Sequence, residues 1–456
     1  MQFKHYILFC AFFALMACNT DDDSPENGDN ISEFQGEIDV LKSFGGSAQD
    51  DFLSVVESQD LGIVAFGFTQ SNDGDITDKT TTDSDYWLVK FDRNLNLIWQ
   101  KTFGGSSDDR GQSLISTTDG GFAVTGFTRS NDGDISTNYG FQDFWVVKLD
   151  ANGSIEWETS IGFAGNDRGY DIIQTQDGGY FVTGFLDVTA SNGEGNDDFN
   201  SEGRPMQSFS AKHGVGEFWG IKLDAQGEMQ WRRYFGGTNN DRSRAVIQTA
   251  DGGFLQTGHS ESDDFDITNP KGSYDVWVVK TSAEGDLLWE KNFGGSSIEI
   301  AYDLVPTSDG NFILVGDTRS SDQDISNPKG NADVWVIKFD GEGNMIWEKS
   351  FGGSDFDSAQ SIEILNNGEF LITGNSKSID NDLNQNYGQN DIWNFIISTN
   401  GELQWQLNIG GDGLDFGNDS VQLQDGSIIV VGSSESDTGD IEMNKGDKDA
   451  VIFKLK

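Results

Sequence analysis

Seven times along the chain the same phrase returns, an aromatic residue or Ile, then Gly, then a short acidic turn, anchored at Phe44, Phe103, Ile161, Phe235, Phe293, Phe351 and Ile409. The anchors are 59, 58, 74, 58, 58 and 58 residues apart, so one unit of about sixty residues is copied and only the third copy carries an insertion. A period of this length means a repeat architecture, in which no copy can bury its apolar face alone.

In the second copy, Ser113 to Thr117 alternates apolar and polar residues, Asp119-Gly120-Gly121 follows, and Phe122 to Phe127 alternates again. A period of two marks strands, and Asp-Gly supplies the positive φ of a tight turn, so the stretch reads as a β-hairpin. A polar loop, Ser130 to Asp143, leads to Phe144 to Asp150, the turn Asn152-Gly153 and Ile155 to Ser160. Each copy thus supplies four short antiparallel strands. Such a sheet buries too little by itself, and blades packed radially in a ring are the usual solution.

All twelve Trp residues fall in two columns: Trp87, Trp145, Trp219, Trp277, Trp335 and Trp393 on the third strand, and Trp99, Trp157, Trp231, Trp289, Trp347 and Trp405 on the fourth. Val451 and Val40 take these places in the seventh copy. A column of Gly (Gly67, Gly126, Gly184, Gly258, Gly316, Gly374, Gly432) lies on the second strand, where backbone must approach a neighbour closely. The last copy stops at Lys456 after its third strand, and Gly36 to Ser43 aligns without a gap on Gly343 to Ser350. The expectation is an all-β fold, a seven-bladed β-propeller of four-stranded antiparallel blades over residues 36–456, its ring closed by the N-terminal strand.

Residues 1–17 carry Lys4 and His5 and then an apolar stretch from Tyr6 to Met16, too short to span a bilayer and typical of a secretory signal. Leu15-Met16-Ala17-Cys18 resembles the lipobox of bacterial lipoproteins, which implies that Cys18 is lipidated and anchors the chain to a membrane. Residues 18–35 read as a flexible acidic tether. Its Asp21-Asp22-Asp23 resembles the surface-export signal of Bacteroidetes lipoproteins, implying display on the outside of the outer membrane. Cys10 belongs to the removed segment, so the mature chain has no thiol for a disulfide, a nucleophile or a Cys-based metal site.

The formal net charge of −47 disfavours nucleic acid and anionic headgroups and suits cations, basic proteins or neutral polymers. The loops from strand four to the next strand one, and from strand two to strand three, share one face of a propeller, and both are acidic. The first carries Asp50, Asp109, Asp167, Asp241, Glu299, Asp357 and Asp415; the second carries the pairs Asp73/Asp75, Asp132/Asp134, Asp264/Asp266, Asp322/Asp324 and Asp380/Asp382, with Asp440 alone in the last copy. Alternating Asp with Gly or Asn between them can wrap Ca²⁺, so these pairs are candidate ligands of weak calcium sites. The same residues make turns with no ion, and without a closing bidentate Glu that reading carries more weight.

Asp85, Asp143, Glu217, Asp275, Asp333, Asp391 and Asp449 precede the third-strand Trp position, and Lys90, Lys148, Lys222, Lys280, Lys338 and Lys454 follow it. Copied around the ring, they read as structural groups that bond within the sheet and pair between blades. His213 and His259 are the only His of the mature chain, read as solvated, and no Ser/His/Asp set or metal-binding spacing accompanies them. Between Gly184 and Trp219 lie 35 positions where a typical copy has 19. This insertion, at about 186–213, offers Asp197, Asp198, Phe199, Arg204, Phe209 and His213 as binding residues, and trimming Asn192 to Ser208 is expected to cost little stability.

Phe-Gly-Gly-Ser, Asp-Gly-Gly-Phe, Thr-Gly-Phe-Thr and Asp-x-Trp-Val-Val-Lys-Leu-Asp-x-x-Gly-x-x-x-Trp together resemble the repeats of Bacteroidetes surface lipoproteins and secreted propellers, along almost the whole chain. Asp150 to Trp157 is also similar to the blade motif of quinoprotein-type propellers. That likeness implies a quinone cofactor and often a vicinal disulfide, for which the mature chain has no Cys. The expected function is a membrane-anchored, non-enzymatic binding or scaffold module acting through its acidic loop face, with Ca²⁺ as the one cofactor suggested. Its partner would be a surface polysaccharide or protein, and nothing in the sequence calls for an oligomer. The alternative is a glycan-binding or glycan-hydrolysing propeller, lectin-like or endoglucanase-like; a quinoprotein-type enzyme ranks below it.

Overall fold

The computed structural model describes residues 34–199, 213–441 and 444–456. The signal segment, Cys18, nearly all of the tether, and Arg204 and Phe209 of the insertion lie outside the described residues. Seven antiparallel sheets form a ring of blades. Blade one comprises Asp50–Glu57, Ile63–Thr69, Asp85–Phe91 and Leu97–Phe103. Blades two to six begin with Asp109–Ser116, Arg168–Gln174, Asp241–Gln248, Glu299–Pro306 and Asp357–Ile364. Blade seven comprises Asp415–Gln422, Ile428–Ser434 and Asp449–Leu455, with Ile38–Phe44 as its outermost strand. Strands two and three lie buried between neighbouring blades, as their near-continuous apolar runs require.

Each first strand carries one β-bulge at the same place, between Gly111 and Ser113 in blade two, opposite the second-strand Gly column. A Cβ at Gly126 would overlap the carbonyl oxygen of Arg110, so glycine is needed where the bulge presses the two strands together. The bulge turns one residue per blade toward the axis of the ring.

The third-strand Trp residues are fully buried. Five of the six donate the indole N–H to a side chain on the fourth strand of their own blade: Trp87 to Gln100 at 2.9 Å, Trp145 to Glu158 at 2.9 Å, Trp277 to Glu290 at 2.8 Å, Trp335 to Glu348 at 2.8 Å, and Trp393 to Gln406 at 3.0 Å. Blade three has Arg232 in that position. There Trp219 donates to the carbonyl of Gly195, in the insertion, at 3.1 Å, and Arg232 turns to Asp197, with Nε to Oδ2 at 2.8 Å. Residues Asp197–Asp198 pair with the outer strand Met229–Phe235 as a fifth strand, and Val188–Ser191 forms one helical turn. This corrects the expectation of an inexpensive trim from Asn192: the segment through Asp198 supplies the indole's acceptor and the partner of a half-buried arginine.

The outer Trp column packs between blades. The strand three to four turn of blade two places Gly153 (φ +71°) against Trp99 of blade one. Blade seven has Val40 in place of this Trp, and the turn of blade one has Leu95 (φ +58°) in place of Gly, wholly buried in the cluster against which Val40 packs. The larger residue fills the space the missing indole leaves, and that burial offsets the cost of a left-handed conformation in a γ-branched residue.

Ring closure follows the expected register, from Ile38 opposite Leu455 to Phe44 opposite Ala450. The amides of Gln35 and Glu37 donate to the carbonyl of Lys456 at 3.0 and 3.3 Å, and Lys456 N–H returns to Glu37 at 3.0 Å. Gly36 (φ +73°) takes the place of a strand three to four turn glycine, against Trp405, so the two chain segments imitate a covalent hairpin. Removal of residues 34–43 exposes the edge of blade seven and the flank of blade one. Thermal melts of chains starting at Phe34 and at Phe44 should differ by roughly 10 °C or more; coincident midpoints would show that this strand does not close the ring.

Candidate functional site at the channel mouth

The acids expected to make the loop face acidic are largely turned inward. Asp50, Asp109, Asp167, Asp241, Glu299, Asp357 and Asp415 are fully buried. Asp109 accepts the N–H of Gly105 at 2.9 Å, the Thr128 hydroxyl at 2.5 Å and the Ser130 hydroxyl at 2.7 Å. The carboxylate thereby clamps the Gly-Gly turn to the end of strand two. Blade three has Leu186 and Val188 where the hydroxyls belong, so among the described residues Asp167 keeps only the N–H groups of Phe163 (2.7 Å) and Asp187 (2.8 Å). Burial with so few donors pushes its pKa up to about 8.

The Asp-x-Asp pairs serve the same turns. Asp132 accepts from Ser106 N–H at 2.8 Å and Asp134 from Gly104 N–H at 3.0 Å. Asp73 and Asp75, Asp264 and Asp266, Asp322 and Asp324, and Asp380 and Asp382 repeat the arrangement in their blades. Lysines of the preceding blade neutralise three of them: Lys271 pairs with Asp324, Lys329 with Asp382, and Lys445 with Asp75. Among the described residues no three His, Cys, Asp or Glu side chains converge as a metal site.

The acids preceding the third-strand Trp hold the strand two to three loop. Asp275 accepts from Lys271 N–H at 2.6 Å, Asp333 from Lys329 N–H at 2.7 Å and Asp391 from Tyr387 N–H at 2.7 Å. The other oxygen of Asp333 and Asp391, like one oxygen each of Asp85, Asp143 and Asp449, is buried without a partner. Burial, with the clamp acid of the next blade close by, raises Asp85 to about 7 and Asp275, Asp391 and Asp449 to about 6. Burial alone takes Asp143 to about 6. Glu217 is pushed up to about 11 by burial and then by Asp241.

The histidines and lysines also depart from expectation. His213 is not solvated: its Nδ1 lies 3.2 Å from Glu217 and its ring stacks on Phe265 at 4.6 Å. His259 is buried on the second strand of blade four, where burial and then the charges of Arg244 and Arg242 hold its pKa well below the usual range. Lys90, Lys148 and Lys338 pair with Asp60, Asp119 and Asp309 in the hairpin turn of their own blade at 2.7, 2.9 and 2.7 Å and so tie strands within a blade, whereas Lys454 of blade seven donates to the Arg93 carbonyl of blade one at 3.3 Å, as expected of a link between blades. Of the insertion candidates, Asp197 is paired with Arg232, Asp198 with Arg233, and Phe199 lies under Arg232 at 5.4 Å.

What the repeat does not share gathers at the axis. The bulged residues Leu53, Gln112, Tyr170, Arg244, Tyr302, Gln360 and Asn418 line one cavity of about 150 Å³ to which all seven blades contribute. Asp171, Asp303 and Asp419 lie in the same ring and accept backbone N–H groups from the next blade, at Val246, Ile362 and Val55, each at 2.9 Å. On the loop face, Leu53 and Gln112 also border a cavity of about 450 Å³ walled by Arg110, Arg129, Arg168, Gln142 and Lys448. Successive arginines stack on aromatics of the preceding blade: Arg110 on Phe68 (4.7 Å), Arg168 on Phe127 (4.8 Å) and Arg242 on Phe185 (4.6 Å). Blades five, six and seven place Ile300, Ser358 and Phe416 at this position, and blade one places Asp51. A cavity of about 510 Å³ at the closure seam is wider, but its charged lining is engaged in closing the ring, with Lys445 bonded to Asp75 and to the Ser43 carbonyl.

Reasoning from repeated positions misses these arginines because they stand where the copies differ. The available signal was that Arg directly follows the clamp acid in three consecutive copies, Asp109-Arg110, Asp167-Arg168 and Asp241-Arg242, in a chain with only ten Arg.

No family model matches the chain. A stretch of 180 residues is 27% identical to the regulatory protein FlaEY of Caulobacter vibrioides, covering 36% of this chain and 19% of that protein, so the match spans about a fifth of the relative's length. Among solved structures, the Pan2 WD40 domain of Neurospora crassa is similar over 94% of this chain and 92% of its own (10% identity, TM-score 0.47). A protein of unknown function from Bacteroides caccae is similar over 68% of this chain and 93% of its own (12% identity, TM-score 0.36).

The raised acids set a pH dependence. A carboxyl whose folded pKa lies above its unfolded value binds its proton more tightly in the fold, so its stabilisation is complete below about pH 4 and is lost as pH rises through the folded value. The loss therefore begins near pH 4 and is complete at about 6 for Asp143, about 7 for Asp85 and about 8 for Asp167. The melting temperature should therefore be higher at pH 5 than at pH 8, and Asp167→Asn should raise the pH 8 value toward the pH 5 one. A midpoint that climbs from pH 5 to pH 8 would show that these groups ionise in the fold without penalty.

Proposed function

We propose that the chain is a lipid-anchored outer-membrane lipoprotein, displayed at the cell surface, whose propeller is a non-enzymatic binding module holding a partner on its loop-bearing face. The observation that carries this reading is the division of labour among charged residues. The repeated acids are consumed in turn and strand hydrogen bonds, and the residues that break the sevenfold repeat collect at the channel mouth on that face. Binding functions sit where loops and singular residues meet on a rigid scaffold.

Anchorage rests on the lipobox resemblance at Cys18; among the described residues no helix is long and apolar enough to cross a membrane. Cys18→Ala should shift the protein from the membrane pellet to the soluble fraction and abolish incorporation of labelled palmitate. Sedimentation and labelling that persist in this variant would refute the lipid anchor.

The amide of Gln112, the phenol of Tyr170 and the amide oxygens of Gln360 and Asn418 around the channel favour a hydroxylated ligand, which keeps a glycan-binding or glycan-cleaving propeller as the second reading. Capture of surface polysaccharides and proteins by the purified chain, followed by a reducing-sugar assay, separates the two: binding without new reducing ends supports the module, and their appearance supports hydrolysis.

Calcium loading of the Asp-x-Asp turns is the ion-dependent form of the proposal. Each carboxylate of Asp132 and Asp134 gives one oxygen to the turn and leaves the other to solvent. If Ca²⁺ uses them, millimolar Ca²⁺ should raise the melting temperature more than Mg²⁺, and Asp132→Asn with Asp134→Asn should remove the difference. Equal shifts with both ions would indicate screening of the net charge instead.

A further inference from the structure

Resting on the reading of the loop face as the binding face, we propose that the cavity walled by Arg110, Arg168 and Gln142 binds an oxyanion-bearing saccharide, a sugar chain end that carries a carboxylate or sulfate. Acidic residues outnumber basic ones by 76 to 29 in this chain, so carboxylate partners are abundant for any cation that needs one. Arg110 and Arg168 nonetheless have none among the described residues. The other two cations of the cavity are compensated, Lys448 by Asp51 at 2.6 Å and Arg129 by Asp108 at 3.1 Å. Two positive charges therefore remain uncompensated inside a recess of a strongly anionic surface.

The geometry is that of a built site. Stacking on Phe68 and Phe127 fixes the planes of Arg110 and Arg168 and leaves N–H groups for an oxyanion, two of whose oxygens a guanidinium can meet with parallel hydrogen bonds. Arg168 is further held by Nε donating to Gln142 Oε1 at 2.6 Å. Gln142 is fully buried, and its amide nitrogen has no partner among the described residues, so a donor that must be satisfied waits at the same wall. Gln112 joins this cavity to the axial one, where the Tyr170 hydroxyl and the amide oxygens of Gln360 and Asn418 suit hydroxyl groups, the Asn418 amide nitrogen being bonded to Asp51 and the Phe52 carbonyl. A volume of about 450 Å³ falls within the range of small-ligand sites. The wall's own charge would hold an anion here despite the net −47, since Asp51 and Asp108, the acids of this wall, are offset by Lys448 and Arg129.

The test is calorimetric titration of the full-length protein with trigalacturonate, a sulfated disaccharide, maltotriose and inorganic sulfate. At least one charged saccharide should bind at least tenfold tighter than both maltotriose and inorganic sulfate, with affinity falling as salt is raised. Arg110→Gln with Arg168→Gln should cut that affinity at least tenfold, whereas Lys101→Gln with Lys349→Gln, which removes the same charge from outer strands, should not. If the double arginine variant fails to fold, Arg168→Lys keeps the charge, loses the fork and should still weaken binding several-fold. Equal binding of maltotriose, equal binding of inorganic sulfate, no binding of either charged saccharide, or no effect of the arginine substitutions overturns the inference. A partner captured on the loop face that the charged saccharides do not displace would overturn it while leaving the binding module standing. Failure to capture any partner or probe would remove both.

Discussion

One buried carboxylate per blade is the interaction on which the ring depends. It draws the Gly-Gly anchor turn, the hydroxyls at the end of strand two and the start of strand one to a single point, and it does so inside the protein. Ionised, such a group is stabilised by three or more donors, and each bond to a charged acceptor is stronger than a neutral one. Stripped of its hydroxyl donors, as at Asp167, it becomes a group that prefers its proton. The strongly acidic composition is thus partly a structural material. Carboxylates replace what a longer loop would otherwise supply, which is why loops with little regular structure can hold seven blades in register.

The fold was legible because its determinants recur. The Trp columns, the Gly column and the gapless match of Gly36 to Ser43 on Gly343 to Ser350 each mark a contact that every blade must make. The departures needed the structure: Val40 lacks an indole and Leu95 supplies the missing volume, while Arg232 lacks the acceptor that Trp219 needs and Gly195 supplies it. The candidate site was not legible by the same means. A column of acids in loops looks like a surface or an ion site, and only the geometry shows which oxygens are already engaged. Arg110 and Arg168 look like ordinary surface residues until the strand register places them on Phe68 and Phe127 of the preceding blade.

The asymmetry of blade three has the same logic. Its insertion is wired to substitutions at the clamp hydroxyls, at the Trp acceptor and at the outer strand, so the blade is a co-adapted variant of the repeat. The histidine beside Glu217 belongs to this set, packed against Phe265 of the next blade.

The imitation hairpin at the seam fixes a direction. Strand three to four turns lie on the face opposite the loops that surround the channel mouth, and Gly36 occupies one of those turn positions, with Phe34 resting edge-on against Trp405 at 5.3 Å. Phe34 therefore lies on the underside of the ring. If lipid is attached at Cys18, the tether enters the ring on the face opposite the arginine-lined opening, so anchorage and opening occupy different faces of the disc.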